Sequence, residues 1–194
     1  INMEEDSSKS VHDIDPFNTL VDLNRAGISL LEIVSEPEIK NGEEAYSYLS
    51  EIRKLVRYLE ISDGNMEEGS LRADLNISVR KKGATKFGTK VEVKNMNSFR
   101  NVQKAIDFEI IRQIDLIESG EEIHQETRTY DAAKNITIGL RSKEDAHDYR
   151  YFPEPDLVPV MVPQSYVDSV RETMPPLPYE LFVKYTKELG LSEY

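Results

Sequence analysis

Hydrophobic and polar residues alternate strictly along residues 71–80, which is the pattern of a half-buried β-strand. The apolar positions are Leu71, Ala73, Leu75, Ile77 and Val79. The polar positions between them are Arg72, Asp74, Asn76, Ser78 and Arg80. A cation, a carboxylate and an amide therefore stand at successive outward positions. Such a row suits the floor of a site that holds a metal, a phosphate or a carboxylate.

Residues 90–94 alternate in the same way, with two valines facing inward and Lys90, Glu92 and Lys94 facing outward. The polar loop 81–88 contains two glycines and separates this segment from the first strand, so the two strands are predicted to form a hairpin. Antiparallel pairing would add Glu92 to the row of Arg72, Asp74 and Asn76. The alternative is a solvated hairpin whose charges pair across the strands.

Two longer stretches have the three-and-four spacing of amphipathic helices. The first apolar stripe consists of Ala45, Leu49, Ile52, Leu55, Val56 and Leu59. The second consists of Phe99, Val102, Ile106, Ile110, Ile114 and Ile117. Asn97 or Ser98 is a suitable N-cap for the second helix, and Gly120 is a suitable stop. We predict that both stripes face the core.

Further strands are predicted at residues 1–6, 20–24, 28–35, 125–130 and 136–141, with a loop at 7–18. The segment 28–35 is apolar on both faces, as a central strand covered on both sides would be. Glu32 lies within it, and a buried carboxylate needs a cation, a metal or hydrogen-bond donors. The alternative is a glutamate at a sheet edge that reaches water.

Short helical pieces at 167–174 and 179–189 are separated by prolines, so we predict a domain boundary near residue 160. Residues 1–160 would form one domain, and residues 161–194 would begin a helical one. Strands and helices alternate irregularly, and hairpins occur. This order favours an α+β fold over a doubly wound parallel sheet.

The composition is that of a soluble globular chain, with 194 residues, 31% of them charged, and no apolar run long enough to span a bilayer. The formal net charge of -12 argues against this segment being the main nucleic-acid-binding surface. The absence of cysteine excludes disulfides and fits a cytoplasmic origin. Because Ile1 is an unusual natural start, we expect a fragment of a longer protein.

Several acidic and basic side chains are candidates for a shared site. Carboxylate oxygens are ligands for Mg²⁺, and the candidates are Glu4, Glu5, Glu32, Asp74 and Glu92. Cations suited to phosphate or carboxylate are Arg72, Lys94, Arg128, Arg141 and Arg150. Together they describe a phosphoryl-transfer site, but without a glycine-rich phosphate loop.

Six segments, in order, resemble the B subunits of tRNA-dependent amidotransferases. They are INMEEDSSKS (1–10), VDLNRAG (21–27), LEIVSEP (31–37), MEEGSLRADLN (66–76), KNMNS (94–98) and DYRYFPEPD (148–156). One departure is Ser8, where that family usually has glycine. The resemblance covers essentially the whole chain.

The resemblance implies a three-subunit enzyme that corrects a mischarged tRNA. Its B subunit uses ATP and Mg²⁺ to phosphorylate the side-chain carboxylate of Glu on tRNA(Gln) or of Asp on tRNA(Asn). Ammonia released by the glutaminase A subunit then displaces the phosphate, and a C subunit completes the heterotrimer. The catalytic part of that family is similar in fold to glutamine synthetase.

Residue by residue, the resemblance assigns metal binding to Glu4, Glu5, Glu32 and Glu92. The polar row of the hairpin is the main argument for Glu92, Asp74 and Arg72 as catalytic residues. Arg72, Lys94, Arg128, Arg141 and Arg150 are assigned to ATP phosphates by their charge and their positions.

The resemblance also implies that further residues of the metal site lie before this segment in the sequence. The regions that bind the body of the tRNA would lie after it. We therefore expect the segment alone to be inactive. Two alternatives stay open at this point. One is another ATP-dependent carboxylate–amine ligase with a small acceptor, and the other is a non-catalytic scaffold subunit. Glu-tRNA(Gln) and Asp-tRNA(Asn) are not distinguished.

Overall fold

The computed structural model describes residues 1–11, 14–15, 17–140 and 160–193. The chain divides into two compact units, Ile1–Ile39 and Lys40–Tyr194. The first contains strands, and the second contains both helices and a sheet. The predicted α+β class is therefore confirmed.

The first unit consists of two antiparallel strand pairs. Strand β1 (Asn2–Glu5) pairs with β4 (Ser29–Glu32), and β2 (Lys9–Val11) pairs with β3 (Leu20–Asp22). The prediction of a loop across residues 7–18 was wrong at β2. Its three residues are too few and too polar to show an alternation, so only the pairing with β3 reveals the strand.

Strand β4 differs from the covered central strand that its apolar sequence predicted. Among the described residues it pairs with β1 alone, and Leu31 is 48% exposed. That prediction was wrong for this part of the chain. An apolar sequence shows that a strand would gain free energy from burial. Whether the strand is buried depends on other segments that pack on its two faces.

The two predicted helices are confirmed in the second unit as α1 (Gly42–Tyr58) and α2 (Phe99–Ser119). Each begins at a side-chain cap, because Asn41 accepts a hydrogen bond from the amide of Glu44 and Ser98 accepts one from Asn101. Helix α2 ends at Gly120, whose φ of 83° is left-handed. The helices pack against each other.

A four-stranded sheet lies beside α2, in the order β5 (Leu75–Ile77), β6 (Val91–Lys94), β7 (Thr127–Asp131) and β8 (Ile136–Gly139). Strands β5 and β6 form the predicted antiparallel hairpin, although β5 is much shorter than residues 71–80. Strands β6 and β7 are parallel, and α2 provides the crossover that such neighbours need. The strands predicted near 125–130 and 136–141 are confirmed as an antiparallel pair.

The core forms where α2 covers one face of this sheet and meets α1. Its buried apolar residues are Ala45, Ile77, Val91, Val93, Met96, Val102, Ala105, Ile106 and Tyr130. The stripe predicted for α2 is wrong in its second half, because Ile114 and Ile117 are exposed by 40% and 38%. Glu109 and Gln113 are fully buried instead.

These two polar residues are buried because hydrogen bonds connect them to the sheet. Gln113 donates through Nε2 to the carbonyl of Ile77 (3.2 Å) and accepts at Oε1 from the amide of Val79 (3.2 Å). The Glu109 carboxylate accepts from Thr137 Oγ1 (2.8 Å) and pairs with Arg112. No hydrophobic pattern predicts this arrangement, in which polar contacts join α2 to β5 and β8.

Near the end of the chain, α3 (Gln164–Thr173) and α4 (Pro178–Val183) follow, and a π-helical segment, Lys184–Glu188, continues α4. The hydroxyl of Tyr58 donates to the carbonyl of Pro176 (2.7 Å). The short helices predicted here are confirmed. The domain boundary near residue 160 stays a prediction.

Glu109 predicts an acid-dependent loss of stability. Burial alone raises its pKa, but hydrogen bonds from Arg112, Gln113 and Thr137 outweigh this effect and hold the pKa below 4.5. Its contribution is therefore complete above pH 4.5 and is lost as pH falls through the folded-state value. We expect Glu109→Gln to lower the unfolding free energy by on the order of 3 kcal/mol at pH 7. The difference from wild type should shrink below pH 4.5.

Urea denaturation between pH 3 and pH 7, the range that the pKa argument concerns, measures this difference. Glu118→Gln, an exposed change on the same helix, is the matched control. A Glu109→Gln deficit that stays constant across the whole range would contradict the assignment.

Candidate functional site

The face of the sheet opposite α2 carries a row of polar side chains. Asn76 on β5 lies opposite Glu92 on β6, which in turn lies opposite Thr127 on β7. Because side chains alternate across a strand, these residues share the face that Val91 and Val93 do not occupy. The predicted meeting of Glu92 with the polar row of the first strand is confirmed for Asn76.

Lys94 lies two residues after Glu92 on the same face and contacts two carboxylates. Its Nζ is 3.5 Å from Asp74 Oδ2 and 3.2 Å from Glu92 Oε1. Burial lowers the pKa of Lys94, but the charges and hydrogen bonds of Asp74 and Glu92 outweigh it, so the pKa is raised. The side chain is 45% exposed and stays a cation at neutral pH.

Both carboxylate oxygens of Glu92 have partners. Oε1 faces Lys94, and Oε2 accepts a hydrogen bond of 2.8 Å from Thr127 Oγ1. The Glu92 side chain is 31% exposed, so it is partly desolvated but still accessible. The carboxylate is therefore held in one orientation by two different strands.

Asp74 and Arg72 precede β5 at alternate positions, and both residues are exposed. The structure therefore brings Asp74, Asn76, Glu92 and Lys94 together on one surface, which we call the β5–β6 polar face. Thr127 joins this face, although the sequence analysis did not select it. The segment 127–130 has no alternation of apolar and polar residues, because the charged Arg128 separates the two threonines, so neither a strand face nor a register could be read from it.

Arg128 lies on the other face of the sheet, beneath α2. Its Nη1 donates to Glu126 Oε1 (2.7 Å), its Nε donates to Thr137 Oγ1 (2.8 Å), and its Nη2 donates to the carbonyl of Thr137 (2.8 Å). Its Nε is also 3.6 Å from Glu109, and the side chain is only 13% exposed. Arg128 therefore forms an ion pair with Glu126 that stabilises the fold. This geometry adds no support for the predicted contact of Arg128 with phosphate.

Within the first unit, the pairing of β1 with β4 brings two predicted metal ligands together. Asn2 lies opposite Glu32, and Glu4 lies opposite Leu30, so Glu4 and Glu32 share a face. Burial raises the pKa of Glu4, and so do the charge of Glu32 and a hydrogen bond with it. Asn2 Nδ2 donates to Glu32 Oε2 (2.7 Å). The prediction that Glu32 meets a donor is confirmed.

Glu5, the third carboxylate predicted for this site from the first unit, points to the opposite face of β1, beside Ser29. The next acidic residue, Asp6, forms an ion pair with Arg25 at 2.9 Å. Neighbouring residues of one strand cannot both face the Glu4–Glu32 pair, so the acidic run at the start of the chain is divided between two faces.

Across the described ranges, no three acidic or histidine side chains form a group that could hold a metal ion by themselves. The assignment of Glu4, Glu5, Glu32 and Glu92 to a metal therefore stays a prediction. Arg141, Arg150 and the motif at 148–156 lie outside the described residues.

The family model described as the GatB/GatE catalytic domain matches residues 1–168. The chain belongs to the family of GatB/GatE catalytic domains, as its six ordered motifs indicated.

Relatives cover nearly all of the chain. The B subunit of the aspartyl/glutamyl-tRNA(Asn/Gln) amidotransferase of Alkalilimnicola ehrlichii is 56% identical over 192 residues, which are 99% of this chain and 40% of that protein. The protein of the same name from Pelagibacter ubique is 52% identical over 100% of this chain and 39% of its own length. That of Gloeothece citriformis is 55% identical over 100% of this chain and 40% of its own length. The chain thus spans about 40% of the length of these relatives.

None of the helices in the described part of the chain is both long enough and apolar enough to cross a membrane.

The two faces of the sheet predict losses of stability of different size for two cations. Arg128→Met removes a largely buried cation together with its hydrogen bonds to Glu126 and Thr137, so we expect a loss of about 2–3 kcal/mol of unfolding free energy. Lys94→Met removes a cation from two partly exposed carboxylates, and we expect a loss below about 1 kcal/mol. Urea denaturation at pH 7 measures both. Equal losses for the two variants would contradict the separation into a structural face and a polar face.

Proposed function

We propose that this chain carries the phosphoryl-transfer part of a tRNA-dependent amidotransferase B subunit. In this reaction ATP phosphorylates the side-chain carboxylate of Glu on tRNA(Gln), or of Asp on tRNA(Asn), and ammonia then displaces phosphate to leave an amide. The observation that carries the proposal is the β5–β6 polar face, on which Glu92 is held between Lys94 and Thr127. Family membership and the names of the relatives support it.

The residues of the polar face suit a transfer in which positioning and charge neutralisation do most of the catalysis. Lys94 stays protonated, so it can offset the negative charge of a phosphate or an acceptor carboxylate. Asp74 and Glu92 hold this cation in place from two sides. Arg72 is exposed at the same end of β5 and is the further cation that we assign to phosphate.

Mg²⁺ fits the paired carboxylates of the first unit. Glu4 and Glu32 present two hard oxygen donors on one face, and the raised pKa of Glu4 reflects in part the nearby charge of Glu32. A divalent cation there would relieve that repulsion. When bound, Mg²⁺ would supply charge neutralisation for ATP phosphates.

The wider parts of the proposal rest on family membership alone. They are a glutamine-synthetase-like fold for the catalytic domain, glutaminase A and C partner subunits, contact with the acceptor end of an aminoacyl-tRNA, and a cytoplasmic location. We also propose that residues 1–194 alone are inactive. Acceptor-dependent ATP hydrolysis by this segment by itself would refute that statement.

Glu92→Gln is the direct test of the proposed reaction. The substitution keeps the size of the side chain but removes the charge that meets Lys94, so we expect ATP-dependent formation of Gln-tRNA(Gln) from Glu-tRNA(Gln) to fall by roughly 10²-fold or more. The assay uses the full-length protein reconstituted with its A and C partners. Glutaminase activity, followed separately, reports that the complex has assembled.

Glu51→Gln is the matched control, because Glu51 is exposed on α1 and 70% of its side chain is accessible. It should leave amidation unchanged. If Glu92→Gln were as active as this control, the polar face would be a solvated surface and the proposed function would lose its main support. Dependence on aminoacyl-tRNA separates this reaction from that of a ligase with a small acceptor.

The proposed metal ligands predict a stabilisation by Mg²⁺ that depends on Glu4. A ligand that binds only the folded state raises the melting temperature, and the rise grows with the ratio of the ligand concentration to its Kd. We expect MgCl₂ to raise the melting temperature of the wild-type protein at pH 7, and Glu4→Gln to reduce this rise by at least about half. Glu36→Gln, an exposed control in the same unit, should retain it. An undiminished rise in Glu4→Gln would exclude Glu4 as a ligand.

A further inference from the structure

We infer that Thr127 is a positioning residue that fixes the carboxylate of Glu92 for phosphoryl transfer. The inference rests on the proposed function, because it assigns Thr127 a task only if Glu92 takes part in the reaction. Nothing in the motifs that identify the family selects this threonine.

The contact joins two strands that are far apart in the sequence. Strands β6 and β7 run parallel, and Glu92 and Thr127 are register partners. The amide of Glu92 also donates to the carbonyl of Glu126, at 3.0 Å, so the backbones beside the two side chains are joined directly. Thr127 Oγ1 is therefore held where it can donate to Glu92 Oε2, at 2.8 Å.

The hydroxyl acts on an oxygen that Lys94 does not reach. Lys94 Nζ approaches Oε1 of Glu92, whereas Thr127 approaches Oε2. Lys94 has a long, flexible side chain and also contacts Asp74, so by itself it would leave the carboxylate free to rotate. Threonine is β-branched and stiff at χ1, so its hydroxyl is a more rigid anchor.

The neighbouring position provides a matched comparison. Thr129 lies two residues further along β7, opposite Lys94, and therefore points to the same face. Its hydroxyl oxygen accepts from Asn95 Nδ2 at 3.4 Å. Replacing either threonine by valine removes one hydroxyl from the same strand and face, but only the change at position 127 removes a donor from Glu92.

The test compares Thr127→Val, Thr127→Ser and Thr129→Val in the reconstituted amidotransferase. Loss of a side chain that orients a functional carboxylate typically lowers activity or metal affinity by 10–100-fold. We expect Thr127→Val to lower kcat for amidation by roughly 10-fold or more, with the KM for aminoacyl-tRNA unchanged. Thr127→Ser keeps the donor and should stay within about threefold of wild type, and Thr129→Val should match wild type.

A binding measurement supplies a readout that does not depend on turnover. Calorimetric titration with Mg·ATP should show weaker binding to Thr127→Val than to Thr127→Ser. In a Glu92→Ala background, Thr127→Val should weaken binding no further, since the carboxylate that it positions is gone. An additional weakening there would show that Thr127 acts independently of Glu92 and would overturn the inference.

The same variants distinguish the two possible failures. If Glu92→Ala is inactive while Thr127→Val behaves as wild type, the positioning role is wrong and the proposed function stands. If Thr127→Ser loses as much activity as Thr127→Val, or Thr129→Val loses as much, the effect is structural and the inference fails. If Glu92→Ala amidates normally, the proposed function fails and the inference fails with it.

Discussion

The pleat of β6 is the constraint on which the second unit depends. Val91 and Val93 are completely buried against α2, and this burial fixes the direction of every other side chain on the strand. Glu92 and Lys94 must then face away from the helix, where they meet Asn76, Asp74 and Thr127. A slip of one residue in β6 would turn Glu92 and Lys94 toward α2 and turn Val91 and Val93 away from it. The register that packs the core therefore also places the side chains of the polar face.

The side of the sheet beneath α2 is not purely apolar, and its charges have a different role. Glu109 is fully buried, but Arg112, Gln113 and Thr137 hydrogen-bond its carboxylate. Breaking such a network is costly because it leaves a charge without its partner. The two faces of one sheet therefore use the same residue types for different purposes, and only exposure and partners distinguish them.

Sequence reasoning found the features that depend on local periodicity. The alternation around Glu92 and the cap at Ser98 correctly predicted the hairpin and the start of α2. It did not reach features that distant segments determine. Arg128 has the charge of a phosphate ligand, and only the register of β7 shows that it lies beneath α2, beside Glu109 and Thr137. Thr127 was missed because its partner lies 35 positions away, on a parallel strand.

The most direct measurement is a crystal structure of the full-length protein with Mg²⁺ and a non-hydrolysable ATP analogue. The account predicts that the triphosphate lies over the β5–β6 polar face, within hydrogen-bonding distance of Lys94, with Glu92 still hydrogen-bonded to Thr127. A nucleotide bound without contact to any residue of that face would contradict the central claim that these side chains perform the phosphoryl transfer.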